Sequence, residues 1–433
     1  MRSTRSFYVL MVTQVLSLIG SSMTSIAVGI RIFAETGEAT PILLAGFFTA
    51  LPMMVAGSLA GVLVDRWERR WVLVLCDTGQ ALGTLLLLLS FSSGSFQLWH
   101  LYAVATVQGL LAMLQRPAME ATVAMLVPPT QLDRANVIRQ VSGPAASIVA
   151  PALAGALYTV VGVTGVMALD LATFALAVTV ISRMSFPVVQ RLQKGASQPS
   201  LWSDYQSGLA FLWQRRTLLY LMIYAAVLNF LLSGPMNLTT PYVLTLTGSE
   251  QTLGLLLGTM NAGIVAGGVV MSVWGGTRPR IHGIMLGLLL RAVMLTLYGV
   301  ARTPLTLGLA LFFVFCTNPL VDASFASLLQ LKVPPALQGR VFALLFQLMY
   351  LANPLSLLVT GPLVDAVLEP AVGTPGWRLV APLVGSAPGS GMGLLMCAAG
   401  ALMFLLTTLV YLHPATRGVE QELPDQSGAL AVS

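Results

Sequence analysis

Runs without a single charged side chain constrain this chain more than anything else in it. Phe7 to Ile30, Pro41 to Val64, Leu218 to Gly248 and Leu253 to Gly276 contain no Asp, Glu, Lys or Arg. Each reaches or exceeds the ~20 residues a helix needs to cross ~30 Å of hydrocarbon. Over all 433 residues, 56% are hydrophobic and 9% charged, against roughly 25% charged in a soluble domain. Such a chain cannot cover its own surface with polar groups. Strands of a membrane barrel alternate in polarity and are only ~10 residues long, so the expected class is an all-α integral membrane protein. The first run is too long for the apolar core of a cleaved signal and lacks a small-residue cleavage pattern.

Polar breaks divide the chain into twelve expected spans: 7–31, 41–64, 71–92, 98–127, 136–161, 164–184, 218–246, 251–275, 281–301, 304–331, 339–366 and 390–412. Basic residues fall on alternate breaks. Arg66, Arg69, Arg70, Arg134, Arg139, Lys194, Arg215, Arg216, Arg278, Arg280, Lys332 and Arg340 collect on one side; only Arg31, Arg302 and Arg378 collect on the other. The basic side is cytoplasmic by the positive-inside rule, which puts both termini inside. The net +6 then faces an anionic inner leaflet and is no nucleic-acid footprint.

One long polar break, Ser185 to Arg216, separates six spans from six. It holds a basic linker and a segment with Leu201, Tyr205, Leu209 and Leu212 on one helical face, as in a helix lying in the interface. The expected domains are a six-helix bundle 1–184, a linker 185–217, a second bundle 218–412 and a cytoplasmic tail 413–433. The halves repeat one another. "RPAMEATVAMLVPP" (116–129) and "NPLVDASFASLLQLKVPP" (318–335) share a proline, an acid three residues on, and a closing Val-Pro-Pro. Each leads into a span with a proline inside it, Pro151 or Pro362. Parallel six-span repeats are the plan of one large transporter class.

"GVLVDRWERRWVL" (61–73) carries the family signal. It resembles the loop signature of the major facilitator superfamily, matching at Gly61, Leu63, Asp65, Arg66, Arg69, Arg70 and Leu73, with Glu68 where glycine is usual. The resemblance implies that Gly61, Asp65, Arg66, Arg69 and Arg70 latch two bundles and release them as they rock. "VPPALQGRVFALL", "GPLVDAVLEP" and "GSAPGSGMGLL" are similar to stretches of its drug:proton antiporter group, which includes macrolide and multidrug exporters; siderophore and lysophospholipid carriers share much of the pattern. "APALAG" (150–155) resembles that group's glycine- and proline-rich motif, implying that Pro151 and Gly155 bend a helix and pack it tightly; Pro362 is its counterpart in the second half.

Buried charge usually has a partner or a function. The intramembrane candidates are Arg116, Glu120, Asp170, Arg291 and Asp322. The superfamily's architecture puts spans four and ten at a central cavity, so Arg116, Glu120 and Asp322 become the expected proton-coupling or substrate residues. In that reading a carboxylate takes up a proton and loosens its hold on Arg116. Equally open is a self-neutralising Arg116–Glu120 pair beside a merely hydrated Asp322. Gln14, Asn229, Asn237, Gln347 and Asn353 are candidate polar contacts of a cavity. Three scattered cysteines, three scattered histidines and no phosphate-binding loop give no metal, redox or ATP chemistry. The expectation is a monomeric, cofactor-free secondary transporter of the inner membrane, exporting an amphipathic small molecule at the expense of a proton gradient. Its rivals are another carrier of the same superfamily or a non-transporting sensor.

Overall fold

The computed structural model describes residues 2–127, 131–184 and 201–422, and within them the side chains of Asp65 and Arg66 are outside the description. So are Pro128 and Pro129 of the first repeat, 185–200 of the linker and 423–433 of the tail.

The described residues are helical. The first half holds α1 (Arg2–Thr36), α2 (Thr40–Arg66), α3 (Arg69–Ser92), α4 (Leu98–Leu126) and α5 (Leu132–Arg183). Then come α6 (Leu201–Gln214), α7 (Arg216–Asn237), α8 (Thr239–Thr247), α9 (Glu250–Trp274), α10 (Arg280–Val300), α11 (Pro304–Cys316), α12 (Asn318–Lys332) and α13 (Pro335–Leu363). A π-helical turn, Val364–Leu368, leads through α14 (Glu369–Ala371) and α15 (Ala381–Val384) to α16 (Ser390–Leu412), followed by α17 (Pro414–Arg417) and α18 (Val419–Glu422). Ten segments among the described residues are long and apolar enough to cross a membrane.

Helix ends follow local chemistry. Gly37, at φ +69°, closes α1 with its N–H on Phe33 O, and Pro41 opens α2 where a missing N–H costs nothing. Gln97 and His100 form a reciprocal cap at the start of α4. The two spans expected at 136–161 and 164–184 are the two legs of α5, broken at Gly162 (φ 66°, ψ −175°). Only glycine adopts that backbone region without strain, at about 1–3 kcal/mol for other residues. A β-carbon at Gly162 meets nothing within 4 Å. Gly162→Ala is therefore expected to cost about 1–3 kcal/mol through the backbone alone, read as a lower melting midpoint in detergent.

Two expected spans differ from a single rod. Span seven divides into α7 and α8 after Pro235, and span ten into α11 and α12 at Thr317, where Pro319 opens the second piece. Proline supplies no N–H to the preceding turn, so the ladder is interrupted and restarts.

The chain forms two compact units: Met1–Leu192 with Val243–Gly258, and Gln193–Tyr242 with Thr259–Ser433. In the first, one apolar core joins Phe7, Leu10, Leu73, Cys76, Met113 and Ala118; a second joins Met23, Ala27, Leu87, Leu101, Ala154 and Met167. Between the two cores lies a polar layer. Close helix crossings use glycine, as membrane bundles do. A β-carbon at Gly155 of α5 would lie 2.5 Å from Glu250 O of α9, and one at Gly254 would lie 2.5 Å from Pro151 O. In the second unit, Gly299 of α10 and Gly393 of α16 meet the same way, each β-carbon 2.4–2.6 Å from the other's carbonyl oxygen.

Candidate functional site

The loop "DRWERR" is a tight joint: only Trp67 and Glu68 separate α2 from α3. Glu68 sits at φ −72°, ψ 118°, a conformation open to any residue, so the joint does not need the glycine usual at that place. Arg70 donates to the carbonyl of Ser182 at the end of α5 and lies 5.5 Å from the Trp71 ring centroid. That contact ties the start of α3 to the last turn of α5. Gly61 lies within α2.

Arg116 and Glu120 lie one turn apart on α4, 3.8 Å from atom to atom, with side chains 71% and 47% exposed. Exposure here means facing whatever surrounds the helix, lipid or water. An exposed pair of this kind contributes only about 0.2–1 kcal/mol. It costs little to open.

Asp322 belongs to the other unit, and its environment is different. It lies on the exposed side of α12, just past the α11–α12 break. Arg291 of α10 is buried and donates from Nε to Thr317 Oγ1 at 3.0 Å, at the break itself. The Arg291 and Asp322 charges interact electrostatically. Arg291 thus acts on Asp322 through its charge, while its one described hydrogen bond goes to Thr317.

The polar candidates divide. Asn229 donates to Met349 O at 3.1 Å and so joins α7 to α13; Asn237 is exposed and donates to Ser233 O one turn back. Gln347 and Asn353 lie on the exposed side of α13 with Phe346 and Tyr350. Gln14 faces inward instead, donating to Asp77 Oδ2 at 2.9 Å. Pro151 and Gly155 stand at the α5–α9 crossing rather than at the α5 break, and Pro362 precedes the π-helical turn.

Asp77 escaped the sequence reading. It is wholly buried in α3 and also accepts from Gln115 Nε2 of α4 at 2.7 Å, while Gln80 Nε2 donates to Gln115 Oε1 at 2.8 Å. Asp170 of α5 is equally buried and accepts from Ser21 and Thr84, each at 3.3 Å. The clue for Asp77 was present: an acid inside span three, with glutamines inside spans one, three and four.

Comparison with known proteins identifies the architecture. The Major Facilitator Superfamily pattern matches residues 10–357. Macrolide efflux protein A of Streptococcus pyogenes is 26% identical over 370 residues, covering 83% of this chain and 90% of that relative. The multidrug efflux pump Tap of Mycolicibacterium fortuitum is 24% identical over 356 residues, covering 80% and 86%. Among solved structures, a bacterial homolog of the human lysosomal transporter Spinster superposes with a TM-score of 0.74 at 14% identity, over 97% of this chain and 98% of its own. The nucleoside transporter NupG gives 0.69 at 13% identity, over 94% and 99%. A family match across most of the chain, on a multi-pass helical fold shared with known transporters, makes this protein a member of the Major Facilitator Superfamily and a transporter of small molecules, not an enzyme.

Proposed function

We propose that this transporter exports an amphipathic small molecule of the macrolide or multidrug class from a bacterial cell in exchange for protons. The observation that carries the reading is Asp322: an exposed carboxylate beside a helix break, its charge answered by the buried Arg291. Broken helices in transporters free backbone groups for substrate and coupling ions, and a carboxylate there can hold either a cationic substrate or a proton. The efflux names of relatives in Streptococcus and Mycolicibacterium support drug export.

In this reading residues 1–184 and 218–412 are the two rocking bundles, joined by the cytoplasmic linker 185–217, and both termini lie inside the plasma membrane. The protein works as a monomer in lipid. Gly61, Asp65, Arg66, Arg69 and Arg70 serve as the latch, with Arg70 braced on Ser182. Exposed Arg116, Glu120, Gln347, Asn353 and Asn237, with aromatic neighbours such as Phe346 and Tyr350, provide adaptable walls for substrates that vary in shape. Protons moving inward down their gradient discharge the carboxylates after substrate leaves, which resets the cycle.

The test compares accumulation of a labelled macrolide and of the fluorescent cation ethidium in cells with and without the protein. Lower accumulation with the protein, abolished by an uncoupler, is expected; a difference that survives the uncoupler refutes proton coupling. Glu120→Gln and Asp322→Asn are expected to lower proton-driven export, at least one of them about tenfold or more. Full export by both variants removes these two residues from the mechanism.

A further inference from the structure

We propose that Asp77 is a further residue that takes up and releases a coupled proton, in addition to the carboxylates named above. The assignment rests on the proton-exchange reading above but names a group that reading does not use. Asp77 has no exposed surface, and each of its oxygens accepts from a different helix: Oδ2 from Gln14 of α1 at 2.9 Å, Oδ1 from Gln115 of α4 at 2.7 Å. Gln115 is itself oriented, because its carbonyl accepts from Gln80, and its amide also reaches Gln14 Oε1 at 3.3 Å. From its own helix Asp77 is met by Cys76, whose thiol its charge acts on. Among the described residues no cation bonds to Asp77, whose hydrogen bonds come from Gln14 and Gln115. Arg116, next in sequence to Gln115, is 71% exposed and meets Glu120 instead.

Amides are the surroundings that a proton-exchanging acid needs. A carboxylate accepts from two amide NH₂ groups; a neutral carboxyl needs an acceptor for its O–H, and a primary amide supplies one by rotating its carbonyl into place. Gln14 is the amide free to turn: doing so gives the O–H an acceptor at the loss of the 3.3 Å bond from Gln115 to Gln14 Oε1, and no ion pair has to break. Hydronium on the side of entry gives its proton to the carboxylate and becomes water; the reverse transfer on the other side restores the carboxylate. Gln14, Gln80 and Gln115 are half-buried, so three movable amides stand between the acid and the exterior of the unit.

Asp170 marks the contrast. Hydroxyls of Ser21 and Thr84 hold it, and a β-carbon on Gly20 would sit 2.8 Å from its Oδ1. No movable partition of amides stands over that carboxyl; it staples α1, α3 and α5. Ser21 is seven residues from Gln14, and Thr84 seven from Asp77, so the two acids stand roughly 10 Å apart along the bundle.

The experiment uses the full chain in liposomes, in two arms. The first is infrared difference spectroscopy across pH: a protonated-carboxyl band that titrates in the wild type is expected to be missing in Asp77→Asn. The second compares pH-gradient-driven uptake of ethidium into those liposomes, through the copies inserted inside-out, with exchange of ethidium at equal pH. Asp77→Asn is expected to lose gradient-driven uptake about tenfold or more while exchange stays within about twofold; Asp170→Asn lowers the yield of protein but keeps the wild-type pH profile. Gradient-driven uptake by Asp77→Asn equal to the wild type, or an unchanged infrared band, overturns the assignment. A wild type that accumulates neither ethidium nor macrolide when a pH gradient is imposed refutes proton-driven export instead, and the infrared arm then decides Asp77 alone. Should Asp77→Asn not reach the membrane, Gln115→Leu keeps the acid and deletes one donor. A moved pH midpoint supports the proposal, and an unmoved one overturns it.

Discussion

Gly109→Leu should remove nearly all folded protein from the membrane. Gly109 is buried in α4, and a β-carbon built on it would lie 2.0 Å from Thr49 O, 2.9 Å from Thr49 C and 3.1 Å from Thr49 Cα of α2. The obstacle is backbone, so no side chain can rotate away; α2 must leave α4. That separation forfeits the whole α2–α4 interface, including the Phe48–Tyr102 stack with centroids 5.1 Å apart. Overpacking within a core typically costs about 1–3 kcal/mol, occasionally more, and here relief requires a whole helix to shift. Alanine already carries the offending carbon, so Gly109→Ala should lower the melting midpoint substantially and leucine should leave little monodisperse protein to melt. Fluorescence-detected size exclusion of detergent extracts reads both. A leucine variant that elutes and melts like the wild type would show that α2 and α4 do not approach this closely.

Ending the chain at Arg417 should loosen the second unit almost as severely, although the deletion lies outside the membrane-spanning helices. Glu420 accepts from the N–H of Ile281 in the first turn of α10 at 2.9 Å and stands 3.9 Å from Arg280. A carboxylate at a helix N-terminus answers both an orphan donor and the helix dipole. The Glu420 carbonyl accepts from Lys332 Nζ at the last turn of α12, and Val419 is fully buried beside them. Losing one buried aliphatic side chain, one helix cap and one acceptor of a buried ammonium amounts to about 3–5 kcal/mol. The measurement is the melting midpoint of the shortened protein against that of Glu420→Gln, which keeps the bond to Ile281 and should lose far less. Equal midpoints for the shortened and full-length chains would mean that the clasp does not support α10 and α12.

Much of the fold was legible because hydrocarbon permits so few solutions. Charge-free runs between short basic breaks have to be helices, and the mid-span glycine of α5 marks its turn. The misjudged details are those that hydropathy cannot see. Helix α1 runs on to Thr36, past the expected end at residue 31, because Arg31 pairs with Glu35 one turn on and so prolongs a helix after its apolar stretch has finished. The divisions at Leu238 and Thr317 follow from Pro235 and Pro319, residues that membrane helices also tolerate without breaking. Asp77 was passed over because it lies only a few residues beyond the charged loop, and because its meaning resides in Gln14 and Gln115, two helices that chain order does not place beside it. Arg291 was seen as an intramembrane charge, but its tie to Thr317 and Asp322 exists only once α10 meets the α11–α12 break.

The two sealed carboxyls of the first unit also set an order of assembly. An aspartate in the middle of a helix costs roughly 2.5–3.5 kcal/mol to insert into lipid, and α3 and the second leg of α5 each carry one. Asp77 finds Gln14 on a helix already synthesised, but its second donor, Gln115, is made only with α4; Asp170 depends on Ser21 and Thr84, both made earlier. The nascent chain therefore has reason to keep α1 beside the insertion machinery until α5 arrives, and the unit leaves for the bilayer as a group of helices rather than one at a time.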